Sequence, residues 1–291
     1  MSLRLGIAVA ICLCIAGGAT AQVVRFETTM GNFDMVLNPT NNSKLQGHVD
    51  NMLDYIERES YKGSWINRAD TGFVLQMGGF YSMTKRAPMT SESVRSVQSF
   101  TPVEGEPAAE NPGLSNTVGT VALALSGLPT GGTNQNSGTT SFFVNVGDNA
   151  GLDADFTVFA AIPDMTVINQ IMALTTIDRS QDPMYGADPS NLSITDVPIQ
   201  ADGKQVFIKR AFVVADAMTI TNATSLAQSI MAQSASNFVS PSSEFSNAIS
   251  SASPAAALTQ MTVPEPASIG LAAVMLSAAG VVARRRRHRT A

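Results

Sequence analysis

The residues of this chain with the types and spacing to do chemistry lie in one short stretch, Trp65 to Gly79 (WINRADTGFVLQMGG). An apolar pair, Trp65 and Ile66, is followed by a single guanidinium at Arg68 and a polar turn at Asp70–Thr71–Gly72. The run Phe73–Val74–Leu75 then leads into Gln76, and Gly78–Gly79 close the segment. Apolar residues bounded by glycines predict a strand entering and leaving tight turns. An arginine inside an apolar surface is costly unless its five donors find partners. On this stretch alone Arg68 reads as an edge-strand residue whose stem covers core and whose head reaches water. The competing reading is a functional charge.

Other chemistries are poorly supplied. Both cysteines, Cys12 and Cys14, lie in an apolar N-terminal run that reads as a signal peptide. A chain processed after Ala21 holds no disulfide, thiolate nucleophile or Cys-based metal site. His48 is expected to be a surface residue, because no second histidine remains to share a ligand set once both ends are removed. Asp178, Asp182, Asp188, Asp196 and Asp202 lie within residues 175–203, but without EF-hand spacing, so that insertion is expected to be a solvated loop. No metal and no cofactor is expected.

The ends carry their own instructions. Residues 1–21 combine Arg4, the apolar run Leu5 to Ile15 and Ala19–Thr20–Ala21, the three parts of a cleavable export signal. At the other end Val263–Pro264–Glu265–Pro266 precedes an uncharged run of 17 residues, Ala267 to Ala283, and then Arg284 to Arg287, His288 and Arg289. That length is the lower limit of a membrane span, and the basic cluster is a cytoplasmic stop. Of 18 Lys+Arg, Arg4 and five tail arginines are lost with the ends, leaving 12; of 23 Asp+Glu only Glu265 is lost, leaving 22. A processed chain near −10 is an unsuitable partner for nucleic acid.

Between the ends, strands dominate. Val23–Phe26 and Asn32–Leu37 read as a hairpin, followed by a helix over Leu45–Glu59 from the spacing of Val49, Met52, Leu53 and Ile56. Further strands are expected at Val118–Leu125, at Ser141–Val146 with Phe142 and Phe143 on opposite faces, at Thr157–Ile162 and at Val206–Val214. Residues 217–262, rich in Ala, Ser, Asn and Gln, read as a low-complexity stalk that allows a helix at Ser225–Ala232 but needs no packed core.

Five of these segments, in order, resemble the cyclophilins. Asn136–Val144 (NSGTTSFFV) is similar to their NSxxSQFFI segment, Leu152–Phe159 (LDADFTVF) to LDxxxTVFG, and Pro163–Ile171 to the helix that follows. The opening stretch resembles FHRVIxGFMIQGGD, and Gly119–Ala124 (GTVALA) resembles GTVSMA. The tail resembles the PEP-CTERM sorting signal of exported bacterial proteins. The resemblance implies a mainly β fold, a closed eight-stranded antiparallel barrel capped by helices at Leu45–Glu59 and Thr166–Leu174. It divides the chain into signal peptide (1–21), isomerase domain (22–216), stalk (217–262) and sorting segment (263–291).

By that resemblance the protein is a peptidyl-prolyl cis-trans isomerase acting on X–Pro bonds of exported proteins. Rotation about the X–Pro bond needs no nucleophile. It needs a pocket that fixes the proline ring and a donor that favours the twisted amide. Arg68 corresponds to the catalytic arginine, with Phe73, Val74, Phe143 and Leu152 as pocket walls, Ala124 as groove floor and Gln76 holding substrate backbone. Ser141 stands in place of a substrate-contacting glutamine and Phe156 in place of a pocket-lining histidine. Asn67 replaces a histidine, Gly151 replaces a drug-contacting tryptophan, and Asp70 is placed to pair with Arg68 in competition with substrate. The alternative function is a peptide-binding or surface-assembly module with little turnover. Implied partners are proline-containing segments of exported proteins, a C-terminal sorting enzyme, and the inner membrane through the 267–283 helix, with a periplasmic or surface location.

Overall fold

The computed structural model describes residues 21–82, 94–103, 113–128, 132–180 and 192–238. The signal peptide, the sorting segment and most of the stalk lie outside the described residues. In chain order, β1 (Gln22–Thr28) and β2 (Gly31–Leu37) form the expected hairpin and lead to α1 (Gln46–Glu57). Next come β3 (Ser64–Ala69), β4 (Val74–Ser82), β5 (Val94–Ser96), β6 (Thr120–Leu123) and a small hairpin, β7 (Ser126–Gly127) with β8 (Thr133–Asn134). The chain continues through β9 (Phe142–Asn145), β10 (Val158–Ala161) and α2 (Thr166–Met172). It ends with β11 (Thr175–Ile177), β12 (Val197–Ile199), β13 (Ile208–Val213) and α3 (Ala217–Asn237).

The main sheet runs β13-β1-β2-β10-β6-β9-β4-β3, all antiparallel, with β5 added beside β4. Its two ends meet. Gly63 donates its N–H to Ile208 O at 2.9 Å and Ile66 donates to Val206 O at 2.9 Å, so β3 seals against the chain entering β13. Closure removes the open edges that a free sheet would present. The barrel interior is filled by inward residues such as Phe26, Phe33, Met77 and Phe142, with Phe26 stacked on Phe33 at 5.1 Å.

Strand alternation makes a second core on the outside of the wall. Leu75 and Met77 of β4, Phe142 and Val144 of β9, and Val121 of β6 point inward. The residues between them, Val74, Phe143 and Ala122, belong to a separate outer cluster with Ala124, Leu125, Leu152 and Phe156. Phe142 and Phe143 therefore divide the two cores. Gly78 lets β4 pass this point: its φ is +87°, and a Cβ there would lie 2.6 Å from Thr140 O.

Three expectations need correction. His48 is not at the surface. It is 4% exposed, on the buried face of α1 with Met52 and Tyr55, and its ring stacks on Phe159 at 5.6 Å. The 175–203 insertion is not simply a solvated loop, because its described part pairs β11 with β12 and buries Ile194 and Val197 against Trp65 and Phe80. The stalk begins with packed structure: α3 is 21 residues long and buries Ala223, Ala227, Met231 and Ser234 on the barrel. Asp216 caps it by accepting from Thr219 N at 2.7 Å.

Candidate functional site

The outer cluster and the arginine are brought together by strand register. Arg68 on β3 faces Gln76 on β4, Gln76 faces Phe143 on β9, and Phe143 faces Ala122 on β6. One row thus crosses four strands on the outer wall, with its charge at one end and small apolar side chains at the other. Val74 sits two residues along from Gln76, and Ala124 follows β6, its N–H bonded to Ser141 O at 2.9 Å. Leu152, in a one-turn 3-10 helix, and Phe156 close the far side; Phe156 meets Phe143 edge-to-face at 5.5 Å. Phe73 leans over the charged end, its ring centroid 5.4 Å from Arg68 Cζ.

All nine site residues expected from the sequence gather here. Arg68, Gln76 and Phe143 lie in the row, five others flank it, and Ser141 lies fully buried beneath it, accepting from Gln76 Nε2 at 3.2 Å and donating to Met77 O at 3.3 Å. Ala122 and Leu125 were missed, although the outward alternation from Phe143 and its partner strand points to the first of them.

The polar atoms of the row are incompletely satisfied. The Arg68 side chain is 6% exposed and donates from Nη2 to Asp70 Oδ2 at 2.6 Å, the pairing anticipated from the sequence. Its Nε–H is buried without a hydrogen-bond partner among the described residues, and so is Oε1 of Gln76. A buried donor and a buried acceptor left open on facing residues each cost about 1–3 kcal/mol.

Behind the outer cluster stands a buried polar frame that sequence reading did not single out. Asp153 accepts from Ser115 Oγ at 2.7 Å, from Asn116 N at 2.7 Å and from Asn116 Nδ2 at 3.0 Å. Asn116 Nδ2 also donates to Phe156 O at 3.0 Å, and Asn149 Nδ2 donates to Phe73 O at 2.8 Å. Two aromatic walls are thereby held by their backbones. Among the described residues no three His, Cys, Asp or Glu side chains gather as metal ligands.

Fold and site together define a closed antiparallel barrel that carries its functional cluster on the outer wall, not in the lumen. Known proteins place it more closely. A family model described as "Cyclophilin type peptidyl-prolyl cis-trans isomerase/CLD" matches residues 23–189. A "Peptidyl-prolyl cis-trans isomerase" of Acinetobacter baylyi is 31% identical over 171 residues, covering 56% of this chain and 79% of that protein. "Peptidyl-prolyl cis-trans isomerase B" of Escherichia coli is 32% identical over 163 residues, covering 53% of this chain and 86% of that protein. "Peptidyl-prolyl cis-trans isomerase A" of Dickeya dadantii is 33% identical over 134 residues, covering 46% and 59%. The chain belongs to the cyclophilin-type peptidyl-prolyl cis-trans isomerase family. A second family model, the PEP-CTERM protein-sorting motif, matches residues 262–287, which implies export and extracellular sorting.

Proposed function

We propose that the protein catalyses cis-trans isomerisation of X–Pro bonds in exported polypeptides, with Arg68 as the electrostatic group. Partial double-bond character gives the amide C–N bond a barrier of about 18–20 kcal/mol. At the top of that barrier conjugation is lost and the nitrogen gains a lone pair that can accept a hydrogen bond. A site that grips the proline ring and offers a donor to the twisted state lowers the barrier without bonding covalently to substrate. Phe73, Val74, Phe143, Leu152 and Phe156 form the ring pocket over Ala122 and Ala124. Gln76 Oε1 accepts a substrate N–H, and Arg68 supplies the donor.

The observation that carries this reading is the open Arg68 Nε–H beside the open Gln76 Oε1, at the rim of the outer apolar cluster. Removal of a comparable fixed donor in other enzymes lowers turnover by about 10²–10³-fold. Arg68→Ala in the full-length protein should therefore lower kcat/KM on a proline-containing peptide by about that factor, with peptide affinity changed only a few-fold. A second reading, a peptide-binding module with little turnover, is favoured by the Asp70 carboxylate already on Arg68. No acceleration over background by the wild-type protein would establish that reading instead.

The sorting motif supports action outside the cytoplasm, with residues 267–283 anchoring the chain at least transiently in the inner membrane until a sorting enzyme removes the tail. Replacing Pro264 and Glu265 should leave the protein in the membrane fraction at its unprocessed size. Unchanged processing would remove this part of the proposal.

A further inference from the structure

The pairing of β3 with β4 is irregular at two points, one between Trp65 and Ile66 and one at Asn67, beside Arg68. Ile66 faces Met77 and Arg68 faces Gln76, so Asn67 is an extra residue with no partner of its own on β4, a β-bulge. Its consequence follows from alternation. Ile66 points into the barrel core, so an unbroken strand would send Asn67 outward and Arg68 inward among Phe26, Met77 and Phe142. The extra residue moves Arg68 to the outer wall and returns Ala69 to the core. Whatever holds the bulge decides on which face the guanidinium stands.

The 175–203 insertion holds it. Asn67 is fully buried, and its Nδ2 donates to Ser193 O at 2.7 Å. Its Oδ1 has no partner among the described residues, so the amide is oriented by the Ser193 contact. One residue beyond Arg68, Ala69 N donates to Asp196 O at 2.7 Å. The same segment, residues 192–199, stands on an apolar foot, with Ile194 and Val197 packed against Trp65, which stacks on Phe80 at 5.4 Å. The two residues flanking Arg68 are thus tied to one strap, and this strap lies beyond the part of the chain that matches the family, residues 23–189.

We infer that the 192–199 strap is a positioning element for the isomerase reaction, that it keeps the Asn67 bulge formed, and that Asn67 acts through Arg68. This rests on the catalytic role proposed for Arg68. Asn67 is a positioning residue, since substrate does not reach a side chain sealed beneath the strap. The competing role is a plug that stabilises the seam between β3 and β13.

A double-mutant cycle in the full-length protein separates the two roles. Asn67→Ala should lower kcat by about tenfold and move KM less than twofold. In the Arg68→Ala background it should change kcat/KM less than twofold, because the group it positions is gone. An equal fold-loss in both backgrounds, or none in the wild type, overturns the inference. The ¹⁵N–¹H resonance of Arg68 Nε gives a readout independent of turnover: Asn67→Ala should shift it, and an unchanged resonance also overturns the inference. A shifted resonance together with full activity of Arg68→Ala would overturn the role of Arg68 and with it the catalytic meaning of the strap. Should Asn67→Ala fail to fold, Ile194→Ala weakens the foot while leaving every residue of β3 unchanged. It should lower kcat two- to fivefold, again only when Arg68 is present; equal losses with and without Arg68 overturn the inference.

Discussion

Asp70→Asn is the most direct probe of how the site is tuned. The wild-type pair is short, Arg68 Nη2 to Asp70 Oδ2 at 2.6 Å, with side chains 6% and 34% exposed. Opposite charges whose centres are about 4 Å apart attract by about 4 kcal/mol at an effective dielectric of 20. A third of Asp70 faces water, and exposed pairs keep no more than about 1 kcal/mol after solvation and entropy are counted. A half-sheltered pair is then worth about 1–2 kcal/mol. Asparagine keeps the shape and can still accept a hydrogen bond, but it no longer neutralises the guanidinium where the twisted amide needs it. Asp70→Asn should raise kcat/KM on a proline-containing peptide about 5–30-fold, using 1.36 kcal/mol per factor of ten. Activity should be followed by a protease-free exchange assay, with thermal unfolding as a control. Added salt should stimulate the wild type more than the variant, since screening weakens the competing ion pair. A tenfold loss of kcat/KM in a normally folded Asp70→Asn protein would refute the argument. Asp70 would then be an aligning partner of Arg68, not a competitor.

Two further outcomes follow from buried polar groups. Burial holds the pKa of His48 down to about 4, against 6.5 for the unfolded chain, so the folded state stays neutral while the unfolded state takes a proton. The stabilisation of the fold is complete above pH 6.5 and is lost as pH falls towards 4, by about 3 kcal/mol in all. Urea unfolding at pH 7 and pH 4.5 should show a smaller loss for His48→Gln than for wild type, and parallel losses would refute the assignment. Asp153→Asn replaces a carboxylate that accepts three hydrogen bonds with an amide that turns two donors on its neighbours. It should destabilise by about 2–4 kcal/mol and lower the melting temperature by about 5–15 °C, while an unchanged melting temperature would exclude a structural role for the frame.

Much of the site was legible because its wall is built from contiguous sequence. Val74 and Gln76 fall two residues apart on one strand, and Phe143 on its neighbour, so alternation alone assigns them a face, while Phe73 lies in the turn just before that strand. Arg68 was different. Its outward direction depends on the Asn67 bulge, and the bulge depends on Ser193, 126 residues away. Nothing local to WINRA records that dependence. His48 was misplaced because Val49, Met52, Leu53 and Ile56 already satisfied the helical period; the buried stripe also takes in His48 and Tyr55, while Leu53 is only partly covered. The strap's apolar residues form two short alternating pairs, Leu192 with Ile194 and Val197 with Ile199, broken by Thr195–Asp196, and runs that short do not say what they pack against. Ser225–Ala232 reads as helical from sequence, but the packing of α3 does not: its buried stripe of Ala223, Ala227, Met231 and Ser234 is mostly small residues, and a small-residue stripe has little hydrophobic contrast.

That helix changes the geometry of the tether. Its 21 residues would reach about 70 Å if extended, at roughly 3.3 Å each, but as a helix they advance only about 32 Å. The advance also runs along the barrel instead of away from it. Ser234 is bonded to Ser115 O, and the Ser115 hydroxyl bonds to Asp153, next to Leu152 of the pocket wall. Within the described residues α3 keeps the chain on the barrel as far as Asn237, one bonded relay from Leu152 of the outer cluster. The segment that follows this helix therefore starts from the side of the outer cluster and not from the end of β13.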